Sequence, residues 1–193
     1  LRAATDVFST REFHTVPVDD VAVAAGVGKG TLYLYFPTKE QLFYATILEA
    51  MDELVAELRA ATSGRDSEDA LQAFVACMLD FFWRRRQLAV LMHRYEHRLR
   101  EPEGVEWRAR RAQLVAIARA LLVSYVVLAP RNAALATEML LALIRAAVLN
   151  HRDGERPERA AEVVVSLFLH GVAALGQPRA KGTKRTRAKT AGG

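Results

Sequence analysis

The sequence predicts an all-α fold of about nine helices with no sheet. Three observations lead there. Apolar residues recur at i, i+3 and i+4 between proline and glycine breaks. No stretch sustains the alternation of a half-buried strand. The chain has 193 residues, 51% hydrophobic and 25% charged, which is enough for a sizeable core and ordinary for a globular protein.

The elements follow in order. Segment 1–13 carries Leu1, Ala4, Val7 and Phe8 on one stripe. A short helix is expected over 18–25, stopped by Gly26, and another over 29–36, stopped by Pro37. Thr38-Lys39-Glu40-Gln41 has capping-box spacing, so a long helix should run from there to about residue 61. The turn Ser63-Gly64-Arg65-Asp66 leads to a helix to about 86, capped by Asp66 or Ser67. A further helix covers 88–99, and Glu101-Pro102-Glu103-Gly104 ends it. Segment 105–128 is long and apolar at Leu114, Ile117, Ala118, Leu121 and Tyr125. Pro130 and Pro157 open helices over about 131–150 and 157–175, since a first-turn proline has no hydrogen bond to lose. The closing helix carries Val163, Val164, Leu167, Phe168, Gly171, Val172 and Leu175. After Gly176-Gln177-Pro178 nothing apolar is periodic, and a disordered tail is expected over 178–193.

Composition excludes several classes. One cysteine, Cys77, leaves no intramolecular disulfide and no multi-cysteine metal centre. No apolar run approaches the ~20 residues of a membrane span, because Arg119, Arg145 and Glu162 interrupt the longest ones. No charged-then-apolar leader opens the chain, so a cytoplasmic location without a membrane partner is expected. The first residue is Leu1, which suggests that the natural start lies upstream.

Charge is uneven. The net charge is +5, yet six basic residues and no acid lie between Arg179 and Lys189. Without them the chain carries 21 basic and 22 acidic residues. A basic tail suits either a polyanion partner or a solubilising terminus. From Arg84 to Arg119 there are ten arginines and four glutamates, expected mostly on solvated helix faces.

Residues 18–36 have the layout of a helix-turn-helix. Ala22 is small where a second helix must cross closely, and Gly26 supplies a positive φ for the turn. Val21, Val27 and Leu32 are placed to converge as the small core of the pair. The second helix then presents Lys29, Thr31, Tyr33 and Tyr35 outward. An α-helix fits the major groove of duplex DNA, and helix N-termini favour phosphate. A plain helical hairpin satisfies the same spacing.

The wider run Gly26-Val27-Gly28-Lys29-Gly30-Thr31-Leu32-Tyr33-Leu34-Tyr35-Phe36-Pro37-Thr38-Lys39-Glu40-Gln41-Leu42 closely resembles the signature of TetR-type transcriptional regulators, as does the preceding helix with Ala3, Ala4 and Phe8. The resemblance covers about the first quarter of the chain and is architectural beyond it. It implies a DNA-binding domain over 1–46, a helical ligand-binding and dimerisation domain over 47–177, and no enzymatic activity. The implied partners are a double-stranded operator, an unknown small-molecule effector and a second copy of the chain. No cofactor is implied. Thr31, Tyr33 and Lys39 match the family's phosphate contacts, while Lys29, Gly30 and Tyr35 occupy groove-facing positions.

Two positions depart from the pattern. Pro17 and Gly28 stand where the family has hydroxyl-bearing helix caps, which weakens backbone anchoring. Segment 1–46 holds four basic residues, Arg2, Arg11, Lys29 and Lys39, against five acids. That is a thin footprint for DNA, and residues ahead of Leu1 are expected to add charge.

Other chemistry is weaker. His93-Arg94-Tyr95-Glu96-His97 matches H-x-x-E-H, and His93 and His97 lie one turn apart, as a metal pair would. A helical metalloenzyme is therefore one alternative, and non-specific nucleic-acid binding through the tail is another. Cys77 has no base nearby and reads as a small buried hydrophobe. Trp83, Met92, Tyr95, Trp107 and Tyr125 are candidates for a ligand pocket. Leu143, Val164, Leu167, Phe168, Gly171 and Leu175 are candidates for a dimer interface between the last two helices and their symmetry mates.

Overall fold

The structure is a computed structural model and describes residues 1–99, 104–151, 154–173 and 177–178. Its helices are α1 (Arg2–Thr10), α2 (Val18–Ala24), α3 (Lys29–Tyr35), α4 (Lys39–Thr62), α5 (Ser67–Arg84), α6 (Arg86–Leu99), α7 (Val105–Tyr125), α8 (Pro130–Leu149) and α9 (Pro157–Ala173). The all-α expectation holds, with helix ends shifted by one to three residues. The expected tail lies almost entirely outside the described residues.

One pairing departs from an all-helical chain. Val126–Val127 (β1) runs antiparallel to Gln177–Pro178 (β2), with Val126 opposite Pro178. α7 therefore stops at Tyr125 rather than near residue 128. Val126 takes extended dihedrals there, which β-branched residues favour. A two-residue ladder has no alternation long enough to read in a sequence.

The N-terminal helices pack on an aromatic cluster. Phe8, Phe13 and Phe43 have ring centroids 5.0–5.8 Å apart, with Phe8 edge-on to Phe43. Phe13 reaches it from a 3-10 turn, Phe13–Thr15, that follows α1. Phe43 belongs to α4, so α1 is seated on α4 by these rings. Edge-to-face pairs add about 0.5–1.5 kcal/mol to the burial itself.

α4 starts with the capping box its sequence announced. The Gln41 N–H donates to Thr38 Oγ1, and the Thr38 N–H donates to Gln41 Oε1, both at 3.1 Å. The helix then runs 24 residues without a break. The expected domain boundary at residue 46 falls inside it. α5 lacks the side-chain cap expected of Asp66 or Ser67. The Ser67 hydroxyl instead donates to the Ser124 carbonyl at 3.3 Å, tying the start of α5 to the end of α7.

α5 is the axis of the second layer and packs against α4, α6, α7, α8 and α9. It buries Leu71, Phe74, Val75 and Leu79 completely. One contiguous core runs from Ala4 in α1 to Leu169 in α9.

Much of the arginine-rich stretch pairs with acids rather than facing solvent alone. Arg84, Arg85 and Arg110 reach Glu57, Glu53 and Asp52 of α4 at 3.3, 2.7 and 2.8 Å. Arg85 also lies over the Phe81 ring at 4.0 Å. The spacing of one sequence could not pair residues some 30 to 60 positions apart.

Phe8→Ala should cost about 3–5 kcal/mol of stability, because it opens a cavity beneath two other rings. Leu34→Ala, at a residue 78% exposed, should change stability by no more than about 0.5 kcal/mol. Denaturant unfolding monitored by circular dichroism checks both. Equal stability of the two variants would deny the cluster its organising role.

Candidate functional site

The turn between α2 and α3 is built by backbone hydrogen bonds around one glycine. Gly26 has φ +66°. Its N–H donates to the Val23 carbonyl, and the Val27 N–H donates to the Ala22 carbonyl, both at 3.0 Å. This is a Schellman closure of α2, and it needs the left-handed conformation that glycine adopts without a Cβ penalty. Val21, Ala22 and Leu32 are buried as expected. Val27 is not: at 40% exposure it sits outside the small core, because the turn aims it outward.

α3 is held by Leu32 and leaves the rest of its surface open. Lys29, Gly30, Thr31, Tyr33 and Tyr35 are all exposed. A Cβ at Gly30 would meet nothing within 4 Å. Leu34 is more exposed than either tyrosine, at 78%, and Val23 of α2 is 81% exposed. The sequence reading passed over both. The available signal was Leu34 lying one turn beyond Gly30, opposite Leu32.

The missing caps are confirmed in the geometry. Pro17 and Gly28 occupy the N-cap positions of α2 and α3 without side-chain hydrogen bonds. At the start of α2 the Asp20 N–H turns back to the Pro17 carbonyl at 3.2 Å, and neither helix start receives a hydrogen bond from its N-cap side chain.

Two of the four basic residues in this region are tied to α2. Lys29 Nζ lies 2.7 and 3.0 Å from the two carboxylate oxygens of Asp19. The hydrogen bond and charge of Asp19 raise the Lys29 pKa above its ordinary value. Arg11 pairs with Asp20 at 2.5 Å. All four groups are well exposed, so each pair contributes little to stability. Lys39 stands in the first turn of α4 with Nζ 4.5 Å from the Phe13 ring centroid. Partial burial lowers its pKa, with the neighbouring Glu40 acting the other way.

A cavity of about 210 Å³ opens where α4, α5, α6, α7 and α8 meet. Met92 and Trp107 line it, as do Met51, Met78, Phe82, Leu114 and Ile144, which the sequence reading did not single out. Trp83 is elsewhere, stacked on His151 with centroids 4.0 Å apart. Tyr125 does not line the cavity and packs against the core near the end of α7. The side chain of Tyr95 lies outside the described residues. His93 lies on the cavity rim, and the side chain of its proposed metal partner His97 lies outside the described residues. Among the described residues no three His, Cys, Asp or Glu side chains gather to hold a metal. Cys77 is half-buried, and burial, with Glu57 and Asp80 nearby, pushes its pKa up to about 11.

The proposed interface residues divide. Val164 and Phe168 turn into the core of the protomer, since they lie on the α9 face that packs against the rest of the bundle. Leu143 and Leu167 are exposed, together with Leu135, Met139 and Val163. Gly171 is exposed, and a Cβ there would meet nothing within 4 Å. Leu175 lies outside the described residues. The outward stripe has a second consequence: α8 is, among the described residues, long and apolar enough to cross a membrane. The sequence reading expected no such run. The composition arises because α8 carries two apolar faces, Leu140, Ile144 and Val148 inward and Leu135, Met139 and Leu143 outward.

Comparison with known proteins agrees with this geometry. Residues 1–46 match the family of bacterial regulatory proteins described as the tetR family. The transcriptional activator FasR of Mycolicibacterium smegmatis is 37% identical over 82 residues, covering 42% of this chain and 37% of FasR. The transcriptional regulator RutR of Escherichia coli is 42% identical over 60 residues, 31% of this chain and 28% of RutR. The matched region thus spans under two fifths of these curated relatives. The TetR-family regulator PfmR from Thermus thermophilus shares the architecture over 88% of this chain and 98% of its own, with TM-score 0.70 and 25% identity. These relatives are regulators rather than enzymes, so the metalloenzyme alternative is not favoured. Residues 1–46 thus match the tetR family of bacterial regulatory proteins, and the chain shares the helical architecture of a TetR-family regulator.

Proposed function

We propose that the chain is a DNA-binding transcriptional regulator, a homodimeric repressor that leaves a pseudo-palindromic operator when a small molecule enters the cavity. The observation that carries this reading is α4. Its first turn holds Lys39 beside α3, and Met51, twelve residues on, lines the cavity. At 1.5 Å per residue these points are about 18 Å apart on one rigid element.

In this reading residues 1–46 form the DNA-binding domain, and α3 enters the major groove. Thr31, Tyr33 and Lys39 reach phosphates, and Lys29, Gly30 and Tyr35 face the base edges. The exposed Leu34 is suited to the methyl group of thymine. The uncapped N-terminus of α3 offers its free N–H groups to phosphate. Residues 47–177 hold the effector and make the dimer. Leu135, Met139 and Leu143 of α8 meet Val163 and Leu167 of α9 across the two-fold axis. Such a dimer sets two recognition helices about 34–36 Å apart, one turn of DNA. An effector that fits the cavity better with α4 displaced shifts the population away from that spacing. Only its differential affinity for the two states can do so. The expected site of action is the cytoplasm.

Tyr33→Ala and Lys39→Ala should each weaken binding to a duplex selected from random sequence, with the circular dichroism melt unchanged. Loss of the Lys39 charge should also flatten the dependence of log K on log salt by about one unit. Wild-type affinity in both variants would remove these residues from the interface.

Leu167→Arg should fold normally, because residue 167 is 68% exposed. In the proposed dimer it buries an unpaired charge. Sedimentation should report a monomer, and duplex affinity should fall with it. A variant that remains dimeric would place the interface on another face.

A further inference from the structure

The chain separates its basic charge from its recognition helix. Residues 1–46 hold four basic side chains, and Lys29 and Arg11 are paired with Asp19 and Asp20. The six basic residues between Arg179 and Lys189 have no acid among them. The described fold sets where they are attached. The ladder of Val126–Val127 with Gln177–Pro178 holds the backbone just ahead of Arg179. Val126 directly follows α7, and the Ser67 hydroxyl ties the start of α5 to the Ser124 carbonyl near the end of α7. Only residues 63–66 separate α5 from the end of α4 at Thr62. α7 also runs along α4 in the same direction, since Arg110 meets Asp52 and Gln113 meets Arg59. The ladder therefore stands at the C-terminal end of α4, whereas α3 directly precedes its N-terminal end. α4 has 24 residues, and at 1.5 Å each it is about 36 Å long. An extended chain covers at most about 3.6 Å per residue. Arg185 is the seventh residue after Pro178, so it lies no farther than about 25 Å from it. Arg179, Lys181 and Lys184 are nearer still. Four of the six cations thus fall short of the α3 end of the protomer.

We infer that residues 179–189 bind a second stretch of nucleic-acid duplex, apart from the one that α3 reads, so that the protein bridges two duplex segments. This rests on the DNA contact proposed for α3 and adds a second contact at the opposite end of the protomer. Lysine and arginine neutralise phosphates and release the counterions condensed on a duplex, which requires no particular base sequence. The run Arg-Ala-Lys-Gly-Thr-Lys-Arg-Thr-Arg-Ala-Lys has no leucine or aromatic side chain to enter a bilayer. Its chemistry therefore favours a nucleic acid over a lipid surface.

The full chain is captured on beads carrying a duplex selected from random sequence, and a fluorescent duplex of unrelated sequence is then offered. The captured protein should retain the fluorescent duplex. A charge-neutral variant combines Arg179→Gln, Lys181→Gln, Lys184→Gln, Arg185→Gln, Arg187→Gln and Lys189→Gln. It should be captured as well as the wild type but retain roughly tenfold less fluorescent duplex, because the phosphate contacts of the run are gone. Without beads, fluorescence anisotropy gives the affinity of each protein for the unrelated duplex against salt. At about 0.9 per phosphate contact, the variant should flatten the slope of log K on log salt by up to about five units. Equal retention by the two captured proteins, or no retention by the captured wild type, overturns the inference. So does loss of binding to phosphatidylserine vesicles in the variant with binding to the unrelated duplex unchanged. If the beads capture neither protein, the α3 reading falls and the slopes decide the second contact: a flattened slope keeps it, and equal slopes overturn it.

Discussion

The uninterrupted course of α4 is the constraint on which the remaining structure depends. Its N-terminal half carries Phe43, against which the rings of Phe8 and Phe13 pack edge-on and tilted, and so it holds α1 and the turn before α2. Its C-terminal half supplies Met51 to the cavity and Leu54 and Leu58 to the core. The reciprocal hydrogen bonds of Thr38 and Gln41 set where it starts. A break anywhere along it would separate the two ends mechanically. The bonds from Asp52, Glu53 and Glu57 to Arg110, Arg85 and Arg84 act differently. Partly exposed pairs are worth about 0–1 kcal/mol each, far less than the burial of Leu54 and Leu58. Packing therefore supplies most of the stability of this interface, and the ion pairs add little to it.

The recognition region shows how charge is held back. Asp19 and Asp20 sit in the first turn of α2, where acids are favoured by the helix dipole. From there they engage Lys29 and Arg11. With half of its basic residues paired, this surface offers shape and backbone N–H groups more than positive potential. On the proposed function, long-range attraction to a polyanion would then come from elsewhere in the molecule, and the exposed side chains of α3 would act at contact distance.

α8 does three jobs with one sequence. Leu140, Ile144 and Val148 face the core, Glu138, Leu141 and Arg145 edge the cavity, and Leu135, Met139 and Leu143 face outward. The inward and outward stripes are wholly apolar, and Glu138 and Arg145 confine charge to the cavity edge between them. That is why its composition resembles a membrane-crossing helix although part of it is packed in the protein.

Sequence alone determined the features that depend on neighbouring residues. The helix count, the capping box of α4, the glycine turn at Gly26 and the outward positions of α3 are all set within a few residues, where backbone sterics and hydrogen bonding decide. The sequence also showed that α8 and α9 carry more apolar surface than one face uses. It could not tell which of those residues turn inward, because Phe168 and Leu167 are adjacent and equally apolar. Only the tertiary structure decided that, by packing Phe168 into the core and leaving Leu167 exposed. The cavity belongs to the same kind. Met51 and Arg145 lie 94 positions apart, and Trp83 looks as good a lining residue as Trp107 until the helices are packed. The arginine pairs with α4 and the two-residue ladder at Val126 were hidden for the same reason. Each joins residues distant in the chain, and a single sequence records the residues but not their distances.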